Sequence, residues 1–72
     1  MITLLQIQEK LSAEIRNSGM SQTALAQKIG VKQSQISCYL HGKKLPALDT
    51  LANLCVALDI DPADVLCTKR EK

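Results

Sequence analysis

Apolar residues recur at helical spacing from the start of the chain. Those of the first segment lie three or four positions apart, namely Leu4, Ile7, Leu11 and Ile15. This spacing predicts an amphipathic helix that ends near the segment "NSG", where Gly19 suits a left-handed cap. The chain shows no alternation of apolar and polar residues as in a strand, so the pattern predicts an all-α fold.

A second helix is predicted to start at Ser21, whose hydroxyl can cap it, and to end at Gly30. Its inward residues would be Leu25, Ala26 and Ile29. Val31 follows as an apolar turn residue.

The segment "KQSQISCYLHG" starts the third predicted helix, which Gly42 ends. Ile36, Tyr39 and Leu40 would point inward, so the remaining polar positions would point outward.

Two further helices are predicted after Pro46, which cannot continue the third helix. The apolar positions that mark the fourth helix are Leu48, Leu51, Leu54, Cys55 and Leu58. A short fifth helix begins at "DPAD", with Asp61 as its cap, Pro62 in its first position and Asp64 favourable to its dipole. Val65 and Leu66 would close the core, and residues 68–72 are expected to form a frayed tail.

The length of 72 residues predicts a single domain, 1–72, with one modest core. Phe and Trp are absent and Tyr39 is the only aromatic residue, so aliphatic side chains must form that core. The apolar start "MITLL" is interrupted by Gln6 and Gln8, which argues against a signal peptide or a membrane span. A cytoplasmic protein is the simplest expectation.

Charge is unevenly distributed although the net charge is only +2. No acidic residue occurs between Glu14 and Asp49, whereas five basic residues lie there: Arg16, Lys28, Lys32, Lys43 and Lys44. This asymmetry favours a polyanionic partner for the middle of the chain, and a solvated face that happens to lack acids is the alternative.

Cysteine and histidine give little support for a metal site or an enzyme. The three cysteines, Cys38, Cys55 and Cys67, are widely spaced and include no CxxC pair, so buried or unreactive thiols are expected. Cys38 and His41 are three residues apart, but a structural zinc site needs further ligands. The single histidine has no recognisable partner nucleophile, so neither a catalytic residue nor a cofactor is predicted.

The connection between the second and third helices carries the strongest signal. In "QTALAQKIGVKQSQISCYL" the small Ala26 permits close helix crossing, Gly30 permits a short turn, and Ile36 fills the angle between the helices. This pattern resembles the helix-turn-helix (about 21–40) of the lambda repressor and Cro-like family, also called the XRE family. The segments "SCYLHGKKLP" and "ALDTLANLCVALDIDPADVL" extend the resemblance over residues 4–67.

The resemblance implies a compact five-helix, lambda-repressor-like domain that binds double-stranded DNA. Its third helix would enter the major groove while its second crosses the phosphate backbone. Gln33 is the first candidate for base reading, because a Gln amide can pair bidentately with adenine. The other base-reading candidates are Lys32, Ser34, Ser37 and Cys38, and the phosphate-binding candidates are Gln22, Lys43 and Lys44.

A transcriptional regulator follows as the predicted function, specifically a dimeric Cro-like repressor that pairs through Ile60, Val65 and Leu66. The alternative is an antitoxin or protein-interaction module that uses the same domain for autoregulation and grips its partner through Met1, Ile2 and Leu5 or through the carboxy-terminal helix. A weaker third interpretation is a thiol or metal sensor that uses Cys38 and His41.

Overall fold

A computed structural model describes residues 1–68, which form five helices and no strand. In chain order the helices are α1 (Leu4–Asn17), α2 (Gln22–Ile29), α3 (Gln33–Leu40), α4 (Leu48–Leu58) and α5 (Pro62–Val65). The predicted all-α, five-helix fold is confirmed. Residues 69–72, which include most of the predicted frayed tail, lie outside the described residues.

Helix α1 begins and ends at local signals in the sequence. Thr3 is its N-cap and accepts a hydrogen bond from the backbone amide of Gln6, while the Gln6 side chain accepts one from the amide of Thr3. The chain leaves the helix through Gly19 at φ +74°, as predicted.

Helices α2 and α3 are capped differently. The Ser21 hydroxyl accepts a hydrogen bond from the amide of Ala24 at 3.0 Å, which confirms Ser21 as the cap of α2. Gly30 ends that helix at φ +77°. At the start of α3, Lys32 has no side-chain acceptor, and Gln35 Oε1 instead accepts from the amide of Lys32 at 3.1 Å.

The start of α5 also follows its predicted signals. Asp61 accepts a hydrogen bond from the amide of Ala63 at 3.0 Å, and Pro62 occupies the first helical position. The short helix places Val65 in the core and packs against α1.

The core lies between all five helices and is almost entirely aliphatic. Its buried apolar members are Leu11, Ile15, Leu25, Ala26, Ile36, Tyr39, Leu54, Cys55 and Val65. Leu4 and Leu48, which belong to the apolar periodicity of α1 and α4, are instead 70% and 86% exposed. The periodic pattern therefore identifies the interior of each helix better than its first residue.

Burial corrects the predicted dimer surface. Val65 is 0% exposed because the chain's own core encloses it, so it cannot contact a second molecule. Ile60 and Leu66 remain partly exposed. Within residues 1–68, no helix has the length and apolar character needed to span a membrane.

Candidate nucleic-acid interface

The outward face of α3 carries most of the predicted base-reading residues. Burial of Ile36 and Tyr39 fixes the rotation of the helix, which leaves the opposite side free. We call that side, together with the preceding residue Lys32, the reading face; its helical members are Gln33, Ser34, Ser37 and Cys38. Lys32, Gln33 and Ser34 are exposed, whereas Ser37 and Cys38 are only partly exposed and lie deeper against the protein.

Gln33 is joined to the predicted phosphate ligand Gln22. Its side-chain nitrogen Nε2 donates a hydrogen bond to Gln22 Oε1 at 2.6 Å. Each residue is the first of its helix, and Gln22 is partly buried. The crossing of α2 and α3 thus brings together a base-reading candidate and a phosphate-binding candidate. The sequence interpretation missed this contact, since no local pattern joins residues eleven positions apart.

This hydrogen bond leaves both amides able to bind further groups. An amide nitrogen has two hydrogens and an amide oxygen two lone pairs, so Gln33 keeps one donor and its whole acceptor. Gln22 keeps both of its donors beside the amino end of α2, where the helix dipole favours an anion. The pair can therefore donate to a phosphate through Gln22 while Gln33 contacts a base edge.

The loop after α3, residues Gly42–Lys44, is termed the phosphate loop. Gly42 has φ +73°, a left-handed conformation that ends the helix as predicted. The amide of Lys43 then donates to the carbonyl of Cys38 at 2.9 Å. The side chains of Lys43 and Lys44 are exposed and form no ion pair with any of residues 1–68.

Two side chains of α1 hold this end of α3. The Ser12 hydroxyl donates to the carbonyl of Leu40 at 2.6 Å, and Gln8 Nε2 donates to the carbonyl of Gly42. Ser12 is 8% exposed and is the one buried polar residue within residues 1–68. The sequence interpretation assigned neither residue a role, although polar residues beside the apolar stripe of α1 were an available signal.

Not every basic residue of the acid-free interval belongs to this surface. Lys28 Nζ donates to the carbonyl of Ala57 at 3.2 Å, at the carboxyl end of α4. A cation there interacts favourably with the helix dipole and with an otherwise unpaired carbonyl. Lys28 thus has a structural role. The count of basic residues between Glu14 and Asp49 could not distinguish it from the other four.

Ionisable groups of the core stay neutral near neutral pH. Burial raises the pKa of the Tyr39 phenol, with smaller contributions from Cys38 and Asp49. Burial also raises the pKa of the Cys55 thiol, with a contribution from Asp61. Since the thiolate is the reactive form, Cys55 suits packing better than chemistry. Cys38, Cys55 and Cys67 are free thiols.

Comparison with known proteins decides the family. The sequence profile of the Cro/C1-type HTH DNA-binding domain matches residues 10–71, most of the chain. The chain belongs to this family. No curated protein and no solved structure matches the chain significantly.

A Cro/C1-type domain has DNA as its partner. The matched residues 10–71 include all of α2, the turn at Gly30 and α3. The family match confirms the resemblance to lambda repressor and Cro-like proteins. It also supports a DNA-binding regulator as the function of this chain. The matched residues continue past α3 through α4 and α5, so all five helices lie wholly or partly within the match.

Proposed function

We propose that this Cro/C1-type domain is a sequence-specific, double-stranded DNA-binding repressor that acts in the cytoplasm as a homodimer. The hydrogen bond between Gln33 and Gln22 carries the proposal. It orients an exposed amide at the amino end of α3 and ties it to the helix that would cross the phosphate backbone.

In this proposal Gln33 reads adenine. Its free nitrogen donor would face N7 of the base, and its oxygen would accept from the N6 amino group. Ser34 and Ser37 would contact neighbouring bases, and Lys32 and Cys38 would lie at the edges of the contact. Gln22, Lys43 and Lys44 would bind phosphates on the two sides of the groove.

Dimerisation is proposed because one small domain contacts too few bases to compete with a genome of non-specific sites. Ile60, one of the predicted contact residues, lines a surface depression of about 440 Å³. The lining residues are Ala52, Cys55, Val56, Asp59, Ile60 and Pro62. Val56 is 82% exposed and lines the same depression as Ile60, so we assign the pairing surface to this part of α4 and the following loop.

Selection of bound sequences from a random duplex pool tests the proposed function. We expect an operator with two-fold symmetry and half-site centres about 34 Å apart. Recovery of no preferred sequence at physiological salt would contradict sequence-specific binding.

Two matched substitutions test the pairing surface. Val56→Gln places a neutral amide in the proposed contact, whereas Leu5→Gln makes an equally polar change at an exposed leucine of α1. Val56→Gln should give monomers that bind the operator weakly, and Leu5→Gln should pair normally, as measured by sedimentation equilibrium and gel shift. A 1:1 complex of the unaltered protein with the full operator would refute the homodimer.

An antitoxin or interaction module is the second candidate, and the exposed amino-terminal residues favour it. Met1, Ile2 and Leu5 are 117%, 47% and 61% exposed. A toxin-like reading frame beside the gene distinguishes this candidate from a free-standing repressor. If such a frame exists, Ile2→Ser/Leu5→Ser should abolish neutralisation of the toxin and leave operator binding unchanged.

A further inference from the structure

Each of the last four carbonyls of α3 accepts a hydrogen bond. The last four carbonyls of a helix lack partners within the helix. In α3 the carbonyls of Ser37, Cys38 and Tyr39 accept from the amides of His41, Lys43 and Gly42, at 3.0, 2.9 and 3.4 Å respectively. The fourth carbonyl, that of Leu40, accepts from the Ser12 hydroxyl of α1.

The contacts with α1 continue into the phosphate loop. Gln8 and Ser12 lie four residues apart and so face the same side of α1. Ser12 holds the last residue of α3, and Gln8 holds Gly42, two residues further along the chain. The next two residues are Lys43 and Lys44.

Gly42 makes the approach of Gln8 possible. A Cβ atom at this position would overlap the side-chain amide of Gln8. Glycine therefore serves two purposes here, because it adopts φ +73° and leaves room for the donor that fixes its carbonyl. At Gly19, which has nearly the same φ of +74°, nothing lies within 4 Å of such an atom.

We propose that Gln8 and Ser12, the α1 pair, are positioning residues for phosphate binding: they fix the loop that presents Lys43 and Lys44 to the DNA backbone. This inference rests on the proposed function, in which those two lysines bind phosphates. Neither member of the α1 pair touches DNA in this arrangement.

The physical reason is the conformational freedom of the loop. An ammonium group on a mobile loop must be ordered when it binds, and that ordering weakens the complex. Two hydrogen bonds from a packed helix restrict the backbone beside the lysines before DNA arrives. Ser12 is well suited to this purpose because its burial leaves the carbonyl of Leu40 as its partner rather than water.

The chain offers a chemically matched control. The double variant Gln8→Met/Ser12→Ala removes both donors of the α1 pair. Gln6→Met/Ser18→Ala makes the same two changes on α1 or its cap, where Gln6 and Ser18 bond only to residues at or beside the ends of α1. Both variants remove side-chain hydrogen bonds, but only the first removes hydrogen bonds to α3 and its loop.

Three measurements on the purified full chain test the proposal: affinity for operator and random duplexes over a range of salt, thermal melting, and amide hydrogen exchange of Gly42–Lys44. The α1-pair variant should lose affinity for both duplexes alike. Its slope of log affinity against log salt should fall by up to about two units, roughly one for each phosphate that is no longer bound. Amide exchange in the loop should accelerate. The control variant should have the affinity, salt slope and loop exchange of the unaltered protein, although its melting temperature can be lower.

A double-mutant cycle that combines the α1-pair variant with Lys43→Ala/Lys44→Ala separates positioning of the lysines from general destabilisation. When both lysines are absent, removing the α1 pair should cause no further loss of affinity. A further loss as large as in the unaltered background, or an equal loss in the control variant, would overturn the proposal. If the double variant does not fold, Gln8→Met alone, which leaves the buried Ser12 intact, takes its place in the same cycle.

Failure of the proposed function gives a different result. The unaltered protein would then bind no duplex in a salt-dependent manner. In that case loop exchange decides whether the α1 pair fixes the loop, and unchanged exchange in the α1-pair variant would overturn that role independently of DNA.

Discussion

The two ends of α3 are built differently. At the amino end, exposed side chains point outward, and Gln33 is linked to α2 by a hydrogen bond between two flexible glutamines. At the carboxyl end, three backbone carbonyls of α3 accept hydrogen bonds from the amides that follow the helix. Two side chains of α1, Gln8 and Ser12, donate to the carbonyls of Gly42 and Leu40. The side chains of the amino end keep donors and acceptors that the protein does not use, whereas hydrogen bonds from the backbone and from α1 hold the carboxyl end.

Under the proposed function, this difference would suit two separate tasks in DNA binding. Reading a base requires side-chain donors and acceptors that are not already committed to the protein. Binding the regular phosphate backbone requires charges at fixed positions, and these contacts set register rather than sequence. We therefore expect substitutions at the amino end to change specificity and substitutions at the carboxyl end to change affinity for all sequences.

The largest effect is expected from Gln33→Ala. Removal of a bidentate base contact should cost about 1–3 kcal/mol at one symmetric position of the operator and relax the preference there. Non-specific binding and melting temperature should stay nearly unchanged. Competition gel shifts with operators altered at single positions measure this effect, with the exposed α2 residue changed in Gln27→Ala as a matched control.

Two outcomes would revise the role of Gln33. A lower melting temperature with equal loss of affinity for every sequence would mean that the residue supports the helix. Unchanged affinity and sequence preference would mean that Ser34, Ser37 or Lys32 reads the base instead. The side of α3 that faces the DNA would then be rotated, by about 100° for a shift of one residue.

Gly42→Ala should have the next largest effect. A non-glycine residue in the left-handed region costs about 1–2 kcal/mol of stability, and the new Cβ would also displace the Gln8 amide. Gly19→Ala carries the same conformational cost with no such overlap. Both variants should melt earlier, but only Gly42→Ala should bind random duplex DNA more weakly at a temperature where each is folded. Equal affinities would show that the carboxyl end tolerates movement.

Lys43→Ala and Lys44→Ala should weaken binding to operator and random duplexes by similar factors. Each should lower the slope of log affinity against log salt by roughly one unit if its ammonium contacts one phosphate. Fluorescence anisotropy at several salt concentrations provides the slope. An unchanged slope would identify these lysines as solvated side chains and would confine DNA binding to the amino end.

The smallest effect concerns alkaline pH. The raised pKa values of Tyr39 and Cys55 mean that folding favours their neutral forms. Their contribution to stability is complete below the unfolded pKa values, about 8.5 for a thiol and about 10 for a phenol, and is lost as pH rises through the folded values. The free energy of unfolding should therefore decline above about pH 9.

Tyr39→Phe tests how much of the alkaline loss of stability comes from Tyr39, near the carboxyl end of α3. This variant should decline less steeply than the unaltered protein at the highest pH values, as followed by urea denaturation. An identical decline would assign the alkaline loss of stability to Cys55 and other groups.

The parts of the fold that were predicted correctly depend on local chemistry. Ser21 and Asp61 cap their helices because an oxygen on a short side chain can reach amides two or three residues ahead. Gly19, Gly30 and Gly42 take positive φ where the sequence indicated helix ends. Assigning Val65 to a dimer surface was wrong because periodicity indicates an apolar face but does not say what covers it.

Local sequence is enough to predict the helices, their ends, the acid-free middle segment and the outward side of α3, since each depends on residues within a few positions of one another. Packing of the helices, by contrast, brings Gln22 to Gln33, Ser12 and Gln8 to the end of α3, and Lys28 to the end of α4. These contacts join residues 11 to 34 positions apart. They exist because helix packing sets which side chains meet, and a hydrogen bond needs its donor and acceptor within about 3 Å.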